Sequence, residues 1–316
     1  MSETRFLRAL GIGLMIAACM ALLAGCQAWP GAAGPLQVKQ ANVNGATLTY
    51  EEQGAGAPVV FVHGCCTDYR AWDAQRQAIA PHYRFIGLNL RYHGTAPWPD
   101  DGSKYSIQTH AEDIAAFIRG LNAGPVDLVG WSYSGLIVML VTVEHPELVR
   151  SLTIHEPGTV AYVTDPATLK AAVDDRTAML GPVVAAARAG DAAGAARLVP
   201  VAVNQQPDFW DTATPDTRAM FDDNARTIRL ALVAAPPPPA MPCDQLRQIK
   251  VPVLITDGAD TRAFYRLAAQ GAVACIPGAQ LVDIPGGRHL AIIQQPDAFN
   301  AAVLQFLVKA GSQPRP

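Results

Sequence analysis

The sequence contains little charge, and the charge it has is nearly balanced. Charged residues make up 16% of the 316 residues, and the net charge is −3 at pH 7. Nucleic-acid-binding proteins usually present a basic surface, so we expect no nucleic-acid partner. With hydrophobic residues at 50%, the composition also excludes intrinsic disorder and a long coiled coil. Length alone, at roughly 150 residues per domain, suggests two domains.

Metal-binding patterns are missing as well. The chain has six cysteines and seven histidines, and these form neither a CxxC pair nor a histidine cluster with the spacing of metal ligands. We therefore expect no metal ion and no other cofactor.

The first feature that is present is an export signal. Arg5 and Arg8 precede an uncharged, mostly apolar stretch over residues 9–25, which is the arrangement of a secretory signal peptide. The stretch is shorter than the roughly 20 residues that a membrane span needs. It ends in Leu23-Ala24-Gly25-Cys26, which resembles a bacterial lipobox.

The lipobox resemblance implies cleavage before Cys26 and attachment of lipid to its sulfur. We expect a signal peptide over residues 1–25 and a Gly-, Ala- and Pro-rich tether over residues 26–35. The mature protein would then be exported and anchored to a membrane of the cell envelope, facing the periplasm or the exterior. A plain signal peptide and an uncleaved anchor are the alternatives.

Export also affects the other cysteines, because an oxidising compartment permits disulfides. Cys243 precedes a predicted strand and Cys275 ends the helix that follows it, so a bridge between them is a candidate that the sequence leaves open. Cys65 and Cys66 are adjacent, and a bridge between neighbours would strain the loop. We interpret them as free, small apolar residues.

Hydrophobic patterning predicts an α/β fold. Strands and helices alternate in two parts of the chain, which favours a mostly parallel sheet with helices on both faces. We assign residues 36–156 and 250–316 to this core. The segment between them, 157–249, is Ala-rich and helical and is predicted to be an inserted cap, with breaks at Gly181-Pro182 and Pro236–Pro239.

The segment Gly130-Trp131-Ser132-Tyr133-Ser134-Gly135 lies between a predicted strand and a predicted helix. This is the setting of a nucleophile elbow, in which a sharp turn raises a serine hydroxyl above the sheet edge. The residues around Ser132 are small enough for the strand and the helix to approach closely. One departure from the usual motif is Ser134, which stands where a glycine is expected.

The elbow, the segment His63-Gly64-Cys65-Cys66 after an earlier strand and a histidine after the last strand together resemble the α/β-hydrolase superfamily. The resemblance extends over about residues 36–310. It implies an α/β-hydrolase fold in which Ser132 is the nucleophile and His289 is the general base, in the chain order serine, acid, histidine.

The same resemblance assigns the oxyanion hole and one further loop. By the family motif, the backbone N–H groups of Cys65 and Tyr133 would stabilise the developing oxyanion, which is worth a few kcal/mol of the barrier. The segment Arg91-Tyr92-His93-Gly94-Thr95 resembles the loop after the next strand. That loop usually has glycine where this chain has Tyr92.

The acidic member of the triad has two candidates. The family often places it after the strand predicted at residues 251–255, but there Thr occupies the usual position and Asp260 comes one residue early. A second family location follows the strand after the elbow helix, and there Glu156 ends an apolar strand. An unpaired buried carboxylate is costly, which favours a pairing with the imidazole. We prefer Glu156 and keep Asp260 as the alternative.

These features predict a serine hydrolase that cleaves a small or medium apolar carboxylic ester through an acyl-enzyme on Ser132. The alternative enzyme uses the same triad on carbon–carbon, amide or lactone bonds, or transfers the acyl group to peroxide or another acceptor. A non-catalytic binding lipoprotein is the alternative of another class.

Within the cap, the candidates for lining a pocket are Phe209, Trp210, Met220 and Phe221, with core packing as the simpler interpretation. The sequence makes no prediction of oligomeric state.

Overall fold

The computed structural model describes residues 33–312, which contain an eight-stranded sheet. The predicted signal peptide, Cys26 and most of the tether lie outside these residues. The strands are β1 (Gln37–Val43), β2 (Ala46–Gln53), β3 (Pro58–Val62), β4 (Arg84–Leu88), β5 (Val126–Trp131), β6 (Val149–His155), β7 (Val253–Gly258) and β8 (Gln280–Ile284). Their order in the sheet is β1-β2-β4-β3-β5-β6-β7-β8. Strands β3 to β8 pair in parallel, whereas β2 pairs antiparallel with both β1 and β4.

Helices connect the parallel strands and fill the predicted insertion between β6 and β7. They are α1 (Asp73–Ile79), α2 (Ile107–Leu121), α3 (Tyr133–Glu144), α4 (Pro166–Arg188), α5 (Ala192–Asn204), α6 (Phe209–Thr212), α7 (Pro215–Asp223), α8 (Thr227–Arg229), α9 (Cys243–Leu246), α10 (Ala263–Cys275), α11 (Ala291–Gln294) and α12 (Pro296–Gly311). Helices α4 to α9 belong to the insertion. In the described part of the chain, no helix has both the length and the apolar character needed to cross a bilayer.

The central strands are buried on both faces, as their continuous apolar sequence predicts. All five residues of β3 are buried. Because side chains alternate along a strand, Val60 and Val62 pack into the hydrophobic cluster on one face, and Val59 and Phe61 pack into the cluster on the other. The prediction of a mostly parallel sheet flanked by helices is confirmed.

The expected helix break at Gly181-Pro182 is wrong. Helix α4 continues through Pro182 to Arg188. Proline removes one backbone hydrogen bond and normally kinks or ends a helix. Here Met179, Val183 and Ala187 follow one another at intervals of four residues and are all buried, so their burial offsets the lost bond. The second expected break is present, because Pro236–Pro239 lie in an irregular segment before α9.

A disulfide links the end of the insertion to the core. Cys243 begins α9 and Cys275 ends α10, and their Cα atoms are 5.1 Å apart. The bridge that the sequence left open is therefore present in the structure. Cys65 and Cys66 are free, with their Sγ atoms 2.8 Å apart.

Tyr92 occupies a backbone conformation that favours glycine. Its φ is 74°, in the left-handed region that is unfavourable for residues with a Cβ. The ring is held on several sides: it stacks on Tyr105 at 5.9 Å, it meets the edge of Trp98 at 5.4 Å, and its hydroxyl donates to Asp100 at 2.8 Å. These contacts explain how the loop tolerates tyrosine where the family usually has glycine.

Candidate active site

The turn between β5 and α3 has the backbone geometry of a nucleophile elbow. Ser132 has φ 56° and ψ −114°, a strained conformation of a kind that costs about 1–3 kcal/mol. The glycines on either side are required sterically. A Cβ at Gly130 would lie 2.6 Å from Val138 Cγ2, and a Cβ at Gly135 would lie 2.9 Å from Pro157 Cα. The small residues predicted from the motif therefore allow β5 and α3 to pack closely.

Ser134, the departure from the usual motif, has a structural role in this turn. Its hydroxyl accepts a hydrogen bond from the Trp131 N–H at 2.8 Å and donates to the Val62 carbonyl at 2.7 Å. Both partners are buried backbone groups. The serine therefore ties the elbow to the neighbouring strand β3, an arrangement that glycine could not provide.

Three of the predicted residues form one continuous line of hydrogen bonds. Ser132 Oγ lies 2.9 Å from His289 Nε2, and His289 Nδ1 lies 2.6 Å from Glu156 Oε2. His289 and Glu156 are buried. Asp260 is exposed, and in the described part of the chain its carboxylate makes no hydrogen bond with His289. Only its backbone N–H is engaged, with the Gly287 carbonyl at 2.9 Å.

Glu156 is held as a carboxylate by its partners. Its second oxygen, Oε1, accepts from the Gly258 N–H at 2.7 Å. Burial alone would raise the pKa of Glu156. The hydrogen bond from His289, the electrostatic effect of the His155 and His289 imidazoles and the hydrogen bond from Gly258 together outweigh burial and hold the pKa below its ordinary value. An ionised carboxylate only accepts hydrogen bonds, so His289 Nδ1 must donate. Its Nε2 is then free to accept from the Ser132 hydroxyl.

The two predicted oxyanion donors lie beside the nucleophile. In the described part of the chain, the N–H groups of Cys65 and Tyr133 donate to no acceptor, and both residues line the cavity that contains Ser132. Tyr133 is the first residue of α3, where the helix dipole favours negative charge. Sequence reasoning missed Gly158. Its N–H donates to the Ser132 carbonyl at 2.8 Å. A Cβ at this position would lie 3.2 Å from the Tyr133 nitrogen.

Tyr265 is a second residue that sequence reasoning missed. Its ring lies parallel to the imidazole of His289, with ring centroids 3.7 Å apart and an interplanar angle of 9°. Burial raises the pKa of the Tyr265 phenol well above its usual range, so the ring stays neutral. A neutral aromatic face stabilises a cation above it, and His289 becomes cationic when it accepts a proton. No motif marks this tyrosine in the sequence, because it lies inside an ordinary helix.

An apolar cavity of about 450 Å³ adjoins Ser132. Helices α4 and α5 and residues 231–238 supply most of its apolar lining. The four cap residues that the sequence analysis considered for its lining do not contribute to it. Phe209, Met220 and Phe221 are buried and Trp210 packs edge-on against Phe221, so core packing is the right interpretation for them.

Among the described residues, no group of three or more Asp, Glu, His or Cys side chains is placed to bind a metal ion.

A second buried carboxylate lies behind the triad. Asp257 on β7 pairs with Arg266, whose Nη1 lies 3.2 Å from Asp257 Oδ2 and also 3.2 Å from Asp283 Oδ1. Burial, followed by the neighbouring Asp283, raises the pKa of Asp257 to about 7. The next residue along β7 is Gly258, so this titration occurs beside the N–H group that holds Glu156.

Asp257→Asn is expected to reduce the loss of stability at high pH. The folded-state pKa of Asp257, about 7, lies above the ordinary 3.8. The stabilising contribution of the protonated Asp257 carboxyl is therefore complete below about pH 4 and is lost as the pH rises through 7. The variant lacks this titration. Its free energy of unfolding relative to wild type should therefore increase by about 1–2 kcal/mol between pH 5 and pH 8.

Urea unfolding at the two pH values measures this difference. Asp211→Asn is the matched control, because Asp211 is exposed and its substitution should change stability equally at both pH values. A difference between Asp257→Asn and wild type that stays constant from pH 5 to pH 8 would contradict the prediction.

Comparisons with known proteins identify the fold family. A family model described as the alpha/beta hydrolase fold matches residues 57–296. A hydrolase of Acinetobacter baylyi, named for (E)-2-((N-methylformamido)methylene)succinate, is 35% identical over 113 residues, which cover 35% of this chain and 41% of that protein. A Mycobacterium tuberculosis protein named as a non-heme bromoperoxidase, BpoC, is 27% identical over 267 residues, covering 82% of this chain and 97% of that protein.

A solved structure gives the same result for the fold. The carboxylesterase CesB of Bacillus subtilis superposes with a TM-score of 0.68 at 18% identity, covering 88% of this chain and 93% of that chain. At that identity the likeness is evidence for the fold alone. The hydrolase relatives and the family model together support an enzyme. Because the model spans most of the sequence, from just before β3 to the first residue of α12, this chain belongs to the alpha/beta-hydrolase family.

Proposed function

We propose that this protein is a serine hydrolase that cleaves carboxylic esters through an acyl-enzyme on Ser132. The observation that carries the proposal is the line of hydrogen bonds from Ser132 through His289 to Glu156, in which Ser132 lines an apolar cavity. A serine hydroxyl is a weak nucleophile unless a base accepts its proton, and this arrangement supplies the base.

The reaction proceeds in two balanced steps. Ser132 Oγ attacks the ester carbonyl while its proton moves to His289 Nε2, and His289 then protonates the departing alcohol, which leaves an acyl ester on Ser132. Water attacks this ester, loses a proton to His289, and releases a carboxylic acid as Ser132 regains its proton. The N–H groups of Cys65 and Tyr133 stabilise the oxyanion in both steps. The negative charge of Glu156 stabilises the protonated imidazole.

The proposal is tested by labelling and by turnover. A fluorophosphonate probe is expected to attach to Ser132, as located by mass spectrometry of the labelled peptide. A series of p-nitrophenyl esters with acyl chains of increasing length is expected to show turnover in the same preparation. A protein that is folded but neither labels at Ser132 nor cleaves any ester would overturn the proposal and favour a non-catalytic binding role.

We also propose that the chain is exported and anchored through a lipid on Cys26. The disulfide between Cys243 and Cys275 supports export, because disulfides persist mainly in oxidising compartments. Mass spectrometry of the mature N-terminus is expected to find a lipid-modified Cys26 as the first residue. An unmodified Cys26 would exclude the anchor.

A further inference from the structure

The wall of the cavity formed by α4 contains one charged side chain in an otherwise apolar row. Leu169, Val173, Arg176 and Leu180 all line the cavity. Their spacing of three and four residues places them on one face of the helix. Such a face normally carries apolar residues, because a charge set against an apolar cavity loses part of its hydration. Arg176 is exposed and is the charged exception in this row.

Arg176 has no partner of opposite charge in the described part of the chain. The two carboxylates that precede it in sequence are already paired. Asp174 accepts from Lys170 Nζ at 2.6 Å, and Asp175 accepts from Arg262 Nη2 at 2.5 Å. Arg176 is also the only formally charged residue among those that line the cavity. Its charge is thus available to a ligand that enters from outside.

This part of the cavity wall is open to solvent. Val173 is 45% exposed although it is a large apolar residue, and Arg176 is exposed as well. The guanidinium therefore keeps water contacts while the cavity holds no ligand. Because Arg176 and Ser132 line the same cavity, a molecule that fills the cavity can contact both residues.

We propose that Arg176 binds an anionic group of the substrate, and that the substrates are esters with an apolar body and a carboxylate or phosphate at the end remote from Ser132. This inference rests on the proposed ester hydrolysis. A guanidinium matches either anion through two parallel N–H bonds. The apolar lining favours burial of the apolar part of the molecule that lies between the anion and the ester. The cavity volume of about 450 Å³ lies within the roughly 300–1,000 Å³ of small-molecule sites.

A pair of substrates with the same acyl length isolates the contribution of the anion. p-Nitrophenyl valerate is neutral, whereas mono-p-nitrophenyl glutarate carries a carboxylate at the far end of an equally long chain. The ratio of kcat/KM for the glutarate to that for the valerate is expected to fall about tenfold in Arg176→Gln. Arg176→Lys should keep part of the preference, because it keeps the charge but loses the paired donors.

Arg188→Gln is the matched control. Arg188 ends the same helix, is exposed and does not line the cavity, so its removal changes the net charge equally and should leave the ratio unchanged. A fall smaller than threefold in Arg176→Gln overturns the inference. An equal fall in both variants also overturns it, since that result indicates a long-range effect of net charge.

Direct binding tests the site without turnover and separates the two anions. Calorimetry with hexanoate, hexyl phosphate and the neutral hexanol is expected to show that the wild type binds at least one anion more tightly than hexanol. Arg176→Gln should lose that advantage, and the anion that loses more identifies the preferred group. If the wild type binds neither anion better than hexanol, the inference is wrong.

The same measurements distinguish this inference from the proposed function. Cleavage of the valerate together with an unchanged selectivity ratio in Arg176→Gln would overturn the anion site and leave the hydrolase intact. Absence of labelling at Ser132 and of all turnover would overturn the hydrolase, while calorimetry would still decide whether Arg176 binds an anion.

Discussion

Replacing Ser132 by alanine is expected to lower kcat for p-nitrophenyl esters by about 10⁴-fold or more and to abolish labelling by a fluorophosphonate. The physical reason is that, among residues 33–312, Ser132 supplies the only hydroxyl that hydrogen-bonds to the His289 ring. Steady-state turnover with active-site titration measures the effect. Because Ser132→Ala removes a single hydroxyl that lines the cavity, the midpoint of thermal unfolding should stay close to that of the wild type.

Ser134→Ala is the matched control within the same turn. It removes the hydroxyl that joins the Trp131 N–H to the Val62 carbonyl, and an unsatisfied buried polar group costs about 1–3 kcal/mol. We expect this variant to be less stable but still labelled at Ser132. Turnover by Ser132→Ala at a rate near that of the wild type would show that the nucleophile is elsewhere.

Glu156→Gln is expected to lower kcat by about 10²–10⁴-fold with little change in substrate binding. The amide is nearly isosteric, and its oxygen can still accept from the Gly258 N–H. Its NH₂ group would then face His289 Nδ1 and force that nitrogen to accept instead of donate. The proton of the imidazole would move to Nε2, which faces Ser132 and could no longer accept the hydroxyl proton. Comparison of kcat and KM for one ester measures the effect.

Asp260→Asn is the comparison that distinguishes the two candidate acids. The Asp260 side chain is exposed, and the hydrogen bond from Asp260 to the loop that carries His289 is made by its backbone N–H. We therefore expect kcat to stay within about twofold of wild type, as for most exposed substitutions. A large loss in Asp260→Asn together with near-normal turnover in Glu156→Gln would reverse the assignment.

The fold was largely predictable because the local sequence patterns agree with the positions that the strands occupy in the sheet. The continuous apolar run of β3 and the short strand before Ser132 lie at the centre of the sheet, where both faces are covered. The break expected at Gly181-Pro182 failed for the opposite reason. Proline penalises a helix locally, whereas the buried face of α4 is stabilised by residues distant in sequence.

The candidate site was predictable only in part. The motif around Ser132 depends on neighbouring residues, so it can be read directly from the chain. The acid could not be chosen in this way, because Glu156 and Asp260 both follow apolar strands. The loop conformations after β6 and β7 decide which carboxylate meets the imidazole. Tyr265 left no sequence signal, since its contact with His289 depends on how α10 packs beside the last strand.

By itself, the sequence determined the order of the strands and helices, the small residues of the elbow, and the positions of Ser132 and His289. These depend on local sterics and on hydrophobic periodicity, which neighbouring residues specify. Only the tertiary structure decided which carboxylate faces the histidine, which cap residues line the cavity, and that Arg176 is turned toward it. Those features depend on contacts between segments far apart in the chain, and a linear pattern carries no information about such distances.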